Sequence, residues 1–241
     1  MPSTETSKKL PIAAILKISA DYLGNNGKPV LWFTIINFFM MLLGLYSWKT
    51  IWIWPVAAVY YVFWSYFFRW YFKRKPYFLI KPIVSSMVPS SKILVLGAVF
   101  VTVLVVLPFA PLFMGLYPEF NDSYMRFLQK YMQESDLVDL GLNVVLVLFS
   151  PIIFYRPFLA WISALIGRSG SLRSAWSRTD GNYWEFLLMA LLFNFGVIGV
   201  QQLMGFLEIP LPFLLAALSP LIVYYNVVMA KSYEFFYMDI E

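Results

Sequence analysis

Residues Val30–Trp48 read VLWFTIINFFMMLLGLYSW, nineteen positions without a single Asp, Glu, Lys or Arg. About 20 mostly apolar residues, wound as a helix, cross the hydrocarbon core of a bilayer. Ile51–Phe68 follows after only Lys49 and Thr50, so the two runs form a tight antiparallel helical hairpin. Further runs of the same kind are Ile93–Leu116, a segment starting near Leu137 and ending at Tyr155, Trp184–Leu207 with Glu185 at its edge, and Leu211–Ala230. These runs are continuously apolar rather than alternating every second residue, which favours helices over a β-barrel. The expected fold class is all-α: a polytopic membrane protein with six transmembrane helices in one domain, residues 1–241.

The whole composition agrees. Of 241 residues, 61% are apolar, 20% aromatic and 13% charged, against about 25% charged in soluble domains. Mean hydropathy is +0.70. So few charges cannot cover a soluble fold of this size, which excludes a soluble enzyme, a disordered chain and a nucleic-acid-binding domain. The chain has no Cys and no His. Disulfides, thiolate nucleophiles, zinc–thiolate sites, imidazole haem ligation, Ser–His–Asp triads and HExxH zinc sites are therefore absent, and no cofactor or metal is expected. Met1–Lys9 is polar and no long apolar segment with a cleavage site follows, so no cleavable signal peptide is expected.

Basic residues gather on the side that the positive-inside rule makes cytoplasmic. With the N-terminus inside, that side holds 15 of the 18 Lys and Arg residues: Lys8, Lys9, Lys17, Lys28, Arg69, Lys73, Arg74, Lys75, Lys81, Lys92, Arg156, Arg168, Arg173, Arg178 and Lys231. Lys49, Arg126 and Lys130 fall outside. Both termini are expected in the cytoplasm. Trp48, Trp52 and Trp54 cluster at the outer turn of the first hairpin, and Trp32, Trp70 and Trp184 at inner span ends, where amphipathic rings prefer to sit. Trp161 and Trp176 fall in inner loop segments, and Trp64 is a candidate for packing between helices. Pro55, Pro108, Pro111, Pro151 and Pro220 predict kinks. Ordinary tolerance of Pro in membrane helices is preferred over substrate-exposing breaks.

Four segments look amphipathic and too short or too charged to span. Residues 10–23, 76–91 and 171–182 read as helices in the inner interface, and 120–134 as a helix resting on the outer surface, with docking of an outside partner as the alternative. Each inner segment precedes a hairpin, suggesting one architectural unit used three times.

The stretch Gly167–Leu188, GRSGSLRSAWSRTDGNYWEFLL, carries Ser174, Ala175, Trp176, Thr179, Gly181 and Trp184. That pattern resembles the segment before a span in the YciC-like family of bacterial inner-membrane proteins and in the related membrane domain of some glycerophosphodiester phosphodiesterases. Asp180 stands where a basic residue is common. The resemblance implies a multi-pass bacterial inner-membrane protein linked to envelope or lipid homeostasis. On residues alone, Gly181 lets the chain turn into the next span and Trp184 anchors it, a structural reading preferred over a headgroup site.

The span interiors contain no Asp, Glu, Lys or Arg, which disfavours proton-coupled transport and intramembrane catalysis. Asn37, Asn143, Asn194 and Asn226 are the main polar groups at depth, expected to hydrogen-bond neighbouring helices. The inner cations Arg69, Lys73, Arg74, Lys75, Arg168, Arg173 and Arg178 are candidate contacts for phospholipid headgroups or a partner surface. The expected function is a non-catalytic membrane scaffold or accessory subunit. It binds phospholipid and other membrane proteins, in a complex or as a homo-oligomer, and no nucleic acid. The alternative is a transporter or flippase-like component for a lipid or apolar substrate.

Overall fold

Gly27–Ser47 is a single helix (α2), carrying one charge, Lys28, at its start and an uninterrupted apolar run after it, and Ile53–Tyr71 is the next helix (α3). The structure is a computed structural model that describes residues 9–47, 52–73, 148–149, 151–168 and 171–238. The expected span at 93–116, most of that at 137–155, the segments at 76–91 and 120–134, and Arg74, Lys75 and Asn143 lie outside the described residues. The remaining helices are Ile12–Asn25 (α1), Arg156–Leu165 (α4), Leu172–Arg178 (α5), Tyr183–Phe206 (α6) and Leu211–Tyr237 (α7). The described chain is all-helical. Three of its helices, α2, α6 and α7, are long and apolar enough to cross a membrane, with mean hydropathies of 1.8, 1.8 and 1.9. α3 is not among them, because Tyr, Trp and Arg69 replace aliphatic residues along it.

Helix α7 is the hub and packs against α1, α2, α4 and α6. α2 and α3 run antiparallel, since Phe33 meets Phe63, Phe67 and Trp70 while Asn37 meets Tyr60 one turn further on. Burial is graded along the bundle. Phe63–Tyr71 of α3, Phe186–Ala190 of α6 and Val223–Phe236 of α7 supply most of the core, and the opposite halves of these helices are largely exposed. The packed end, where α2 and α6 start and α3 and α7 finish, is called the basal end below. Its core is aromatic: Trp64 and Phe67 meet edge to face at 5.2 Å, and Phe67 and Phe68 at 5.3 Å. Trp64 is buried between helices, whereas Trp32, Trp52 and Trp184 are exposed at helix ends.

Helices α2, α3 and α7 are tied by one polar node. Tyr60 Oη donates to Asn37 Oδ1 at 3.0 Å, Asn37 Nδ2 donates to Ser219 Oγ at 3.0 Å, and Ser219 Oγ donates to the Thr34 carbonyl at 2.6 Å. Every strong donor in that chain finds an acceptor, as apolar surroundings require. Pro220 lies next to this node inside α7. Pro55 falls in the first turn of α3, where a missing N–H costs no helical bond.

Two expectations change. Helical structure does not end at Tyr155, where the fourth apolar run was expected to close: a π turn, Pro151–Tyr155, feeds directly into α4. Pro157 lacks the N–H that would close the preceding turn, which favours widening rather than termination. Leu159, Ala160, Ile162 and Leu165 then bury one face of α4, so Trp161 sits on a helix rather than in a loop. The last helix also runs past Ala230 to Tyr237. Lys231 does not stop it, because the ammonium pairs with Glu234 at 2.7 Å and lies over the rings of Tyr22 and Tyr71.

Candidate functional site

Five helices, α1, α3, α4, α5 and α7, bring their C-termini to the basal end. Each C-terminus leaves carbonyls without intrahelical partners and carries partial negative charge. Three arginines from neighbouring helices answer those of α4, α5 and α7. Arg69 at the end of α3 is buried and donates Nη1 to the Leu165 carbonyl at the end of α4, at 3.0 Å. Arg178 at the end of α5 donates Nη1 to the Phe236 carbonyl at the end of α7, at 3.1 Å, and lies over Tyr237. Arg156, the first residue of α4, is also buried and reaches the Thr179 carbonyl behind α5 at 3.5 Å, with its guanidinium over Trp176. Burial lowers the Arg156 pKa and the nearby Asp180 carboxylate opposes that shift. Each cation thus both caps a foreign helix and offsets its dipole.

The 171–185 segment is the second half of the site. Ser171 caps α5 by accepting from Ser174 N at 3.4 Å. Ala175 is fully buried against α4. Thr179, also buried, donates Oγ1 to the Ala175 carbonyl at 2.7 Å and ends the helix there, so the segment expected over 171–182 is helical only to Arg178. Gly181 has φ +74, a conformation that other L-residues enter only with strain. Buried Asn182 then accepts from Leu10 N at 2.7 Å through Oδ1 and donates Nδ2 to the Asp180 carbonyl at 3.1 Å. Lys9 adds a bond to the Gly181 carbonyl at 2.5 Å and an ion pair with Glu185 at 3.4 Å. Lys9 and Leu10 are thereby strapped to the turn before α6. Replacing Gly181 with Ala should cost about 1 kcal/mol of stability through the positive φ alone, read as a lowered unfolding midpoint with an unchanged fold by circular dichroism.

The candidate residues therefore divide. Arg69 and Arg178 serve helix C-termini, while Lys73, Arg168 and Arg173 are exposed, as are Lys17 and Lys28. Ala175, Thr179 and Gly181 form the turn, and Trp176 and Trp184 lie on the surface. Asn37 bridges helices, but Asn194 and Asn226 donate to the carbonyls of Ala190 and Ile222 in their own helices, both at 2.8 Å. Sequence reasoning passed over Asn182 and Arg156 as site residues. Asn182 is adjacent to the singled-out glycine, and an Arg followed by Pro within an apolar stretch was the available signal for Arg156. Beside Lys231, Tyr22 has its pKa pushed up to about 12 by burial and by the Glu234 carboxylate, so its phenol stays protonated. Among the described residues no group of His, Cys, Asp and Glu is arranged to hold a metal ion.

Comparison with protein-family models, with curated proteins and with solved structures returned no match.

Proposed function

We propose that the chain is a multi-pass protein of a bacterial inner membrane, with six spans, both termini and the basal end in the cytoplasm. It serves as a non-catalytic scaffold or accessory subunit that binds phospholipid and other membrane proteins. Kinship with the YciC-like group, and a setting in envelope or lipid homeostasis, belong to this proposal and rest on the 167–188 pattern described above.

The observation that carries the reading is the fate of polar groups in the bundle. Arg69, Arg156 and Arg178 turn to helix ends, Asn37 and Ser219 to each other, and Asn194 and Asn226 to their own helices. Such groups hold a structure together instead of lining a path for a polar headgroup to cross. What remains on the basal surface is a set of exposed cations, Lys17, Lys28, Lys73, Arg168 and Arg173. Each contributes about 1 kcal/mol of attraction beside an anionic leaflet.

Reconstitution into vesicles carrying a fluorescent phospholipid in both leaflets tests this. The scaffold reading predicts that an impermeant quencher removes no more fluorescence than from protein-free vesicles, while native mass spectrometry of the purified protein finds bound anionic phospholipid. Quenching of the inner-leaflet label would overturn it in favour of a flippase-like activity.

A further inference from the structure

A groove of about 480 Å³ lies between α2 and α3, lined by Pro29, Trp32, Ile36, Val62, Tyr66 and Trp70 among others. Its size falls within the roughly 300–1,000 Å³ of small-molecule sites, and its wall is almost wholly apolar. On α2 the lining runs from Pro29 to Ile36, about 10 Å of helix axis, and on α3 from Val59 to Trp70, about 16 Å, at 1.5 Å per residue. It is therefore an elongated slot parallel to the helices. At its basal mouth stand two indoles, Trp32 and Trp70. Beside them lie two exposed cations: Lys28 precedes Pro29 at the start of α2, and Lys73 follows Trp70, whose carbonyl accepts from Lys73 N at 3.0 Å. The neighbouring Arg69 turns away into the core. The slot thus has an apolar length, an aromatic collar and a positive rim.

We propose that this groove holds one acyl chain of an anionic phospholipid, with its phosphate between Lys28 and Lys73. The assignment rests on the proposed membrane-spanning of α2 and α3, which puts the slot at hydrocarbon depth and the lysines at the headgroups. Charge complementarity selects the anionic lipid, since among the described residues no acidic side chain lines the groove. The indole collar sits at the boundary that such rings favour.

The test uses the full chain purified in mild detergent from vesicles of equal phosphatidylglycerol and phosphatidylcholine, with bound lipid read by native mass spectrometry. Wild type retains phosphatidylglycerol in preference to phosphatidylcholine. Val62→Trp, placed on an exposed groove position, fills the slot and abolishes retention. Lys28→Gln with Lys73→Gln leaves the slot open and lowers the preference roughly 30-fold, the effect of two cations. Wild-type retention that neither variant changes overturns the groove assignment and leaves the general lipid-binding reading standing. Wild type that retains no lipid overturns both. An unfolding midpoint within error of wild type for each variant confirms that the bundle is intact. If Val62→Trp misfolds, the lysine pair decides alone, and an unchanged preference there overturns the proposal.

Discussion

Phe67→Ala lowers the stability of the bundle by about 2–3 kcal/mol, the largest effect expected of a single apolar truncation here. Phe67 is fully buried and its ring meets those of Phe33, Trp64, Phe68 and Trp70. In a soluble core the cost would be about 3–5 kcal/mol. In a bilayer the alternative surroundings are also hydrocarbon, so the transfer part shrinks and the lost packing remains. Titration with SDS in mixed micelles measures the change. Tyr46→Ala, at an exposed position on α2, should move the midpoint by under about 0.5 kcal/mol in the same assay. Equal effects at the two positions would mean that the aromatic seam is not the core.

Arg69→Met is expected to cost about 2–3 kcal/mol, because a charge-assisted hydrogen bond is worth more than a neutral one and its loss takes a donor from a buried carbonyl. Met keeps the length and much of the volume of the side chain, so the effect isolates the guanidinium. The Leu165 carbonyl, 3.0 Å away, lies at the end of α4 and has no intrahelical donor. Lys73→Gln on the exposed basal surface should leave stability unchanged. The pair separates two roles that cations on this face can have. Arg69→Met destabilises and leaves the preference for anionic lipid intact, whereas Lys73→Gln weakens that preference and leaves the fold intact. The opposite pattern would return Arg69 to the headgroups.

The long apolar helices were legible because nothing in them competes with the hydrophobic signal. Runs placed at Val30–Trp48, Trp184–Leu207 and Leu211–Ala230 fall on helices at Gly27–Ser47, Tyr183–Phe206 and Leu211–Tyr237. The last was placed short, since Lys231 reads as a boundary until its pairing with Glu234 is seen. α4 was missed because Arg156 and Pro157 together look like the end of a span, and only the aliphatic face from Leu159 to Leu165 argues otherwise. Gly181 was legible as a turn, a property of the residue itself. The tasks of Arg69 and Arg178 were not, because their partners are backbone carbonyls 96 and 58 residues away, and a carbonyl leaves no mark in the sequence. Asn37 and Asn194 looked equivalent as lone amides in apolar runs. Their difference depends on Ser219 and Tyr60 standing opposite one of them.

Everything proposed for the basal end depends on its facing the cytoplasm. The absence of native cysteine makes that directly measurable, since any introduced thiol is the only one in the chain. Glu208, at the exposed turn between α6 and α7, and Arg173, exposed on α5 at the basal end, mark the two sides. In intact cells a membrane-impermeant maleimide should label Glu208→Cys, and should label Arg173→Cys only after the membrane is permeabilised. Labelling of Arg173→Cys in intact cells, with Glu208→Cys protected, would contradict the orientation and with it the assignment of the exposed lysines and arginines to a cytoplasmic lipid surface.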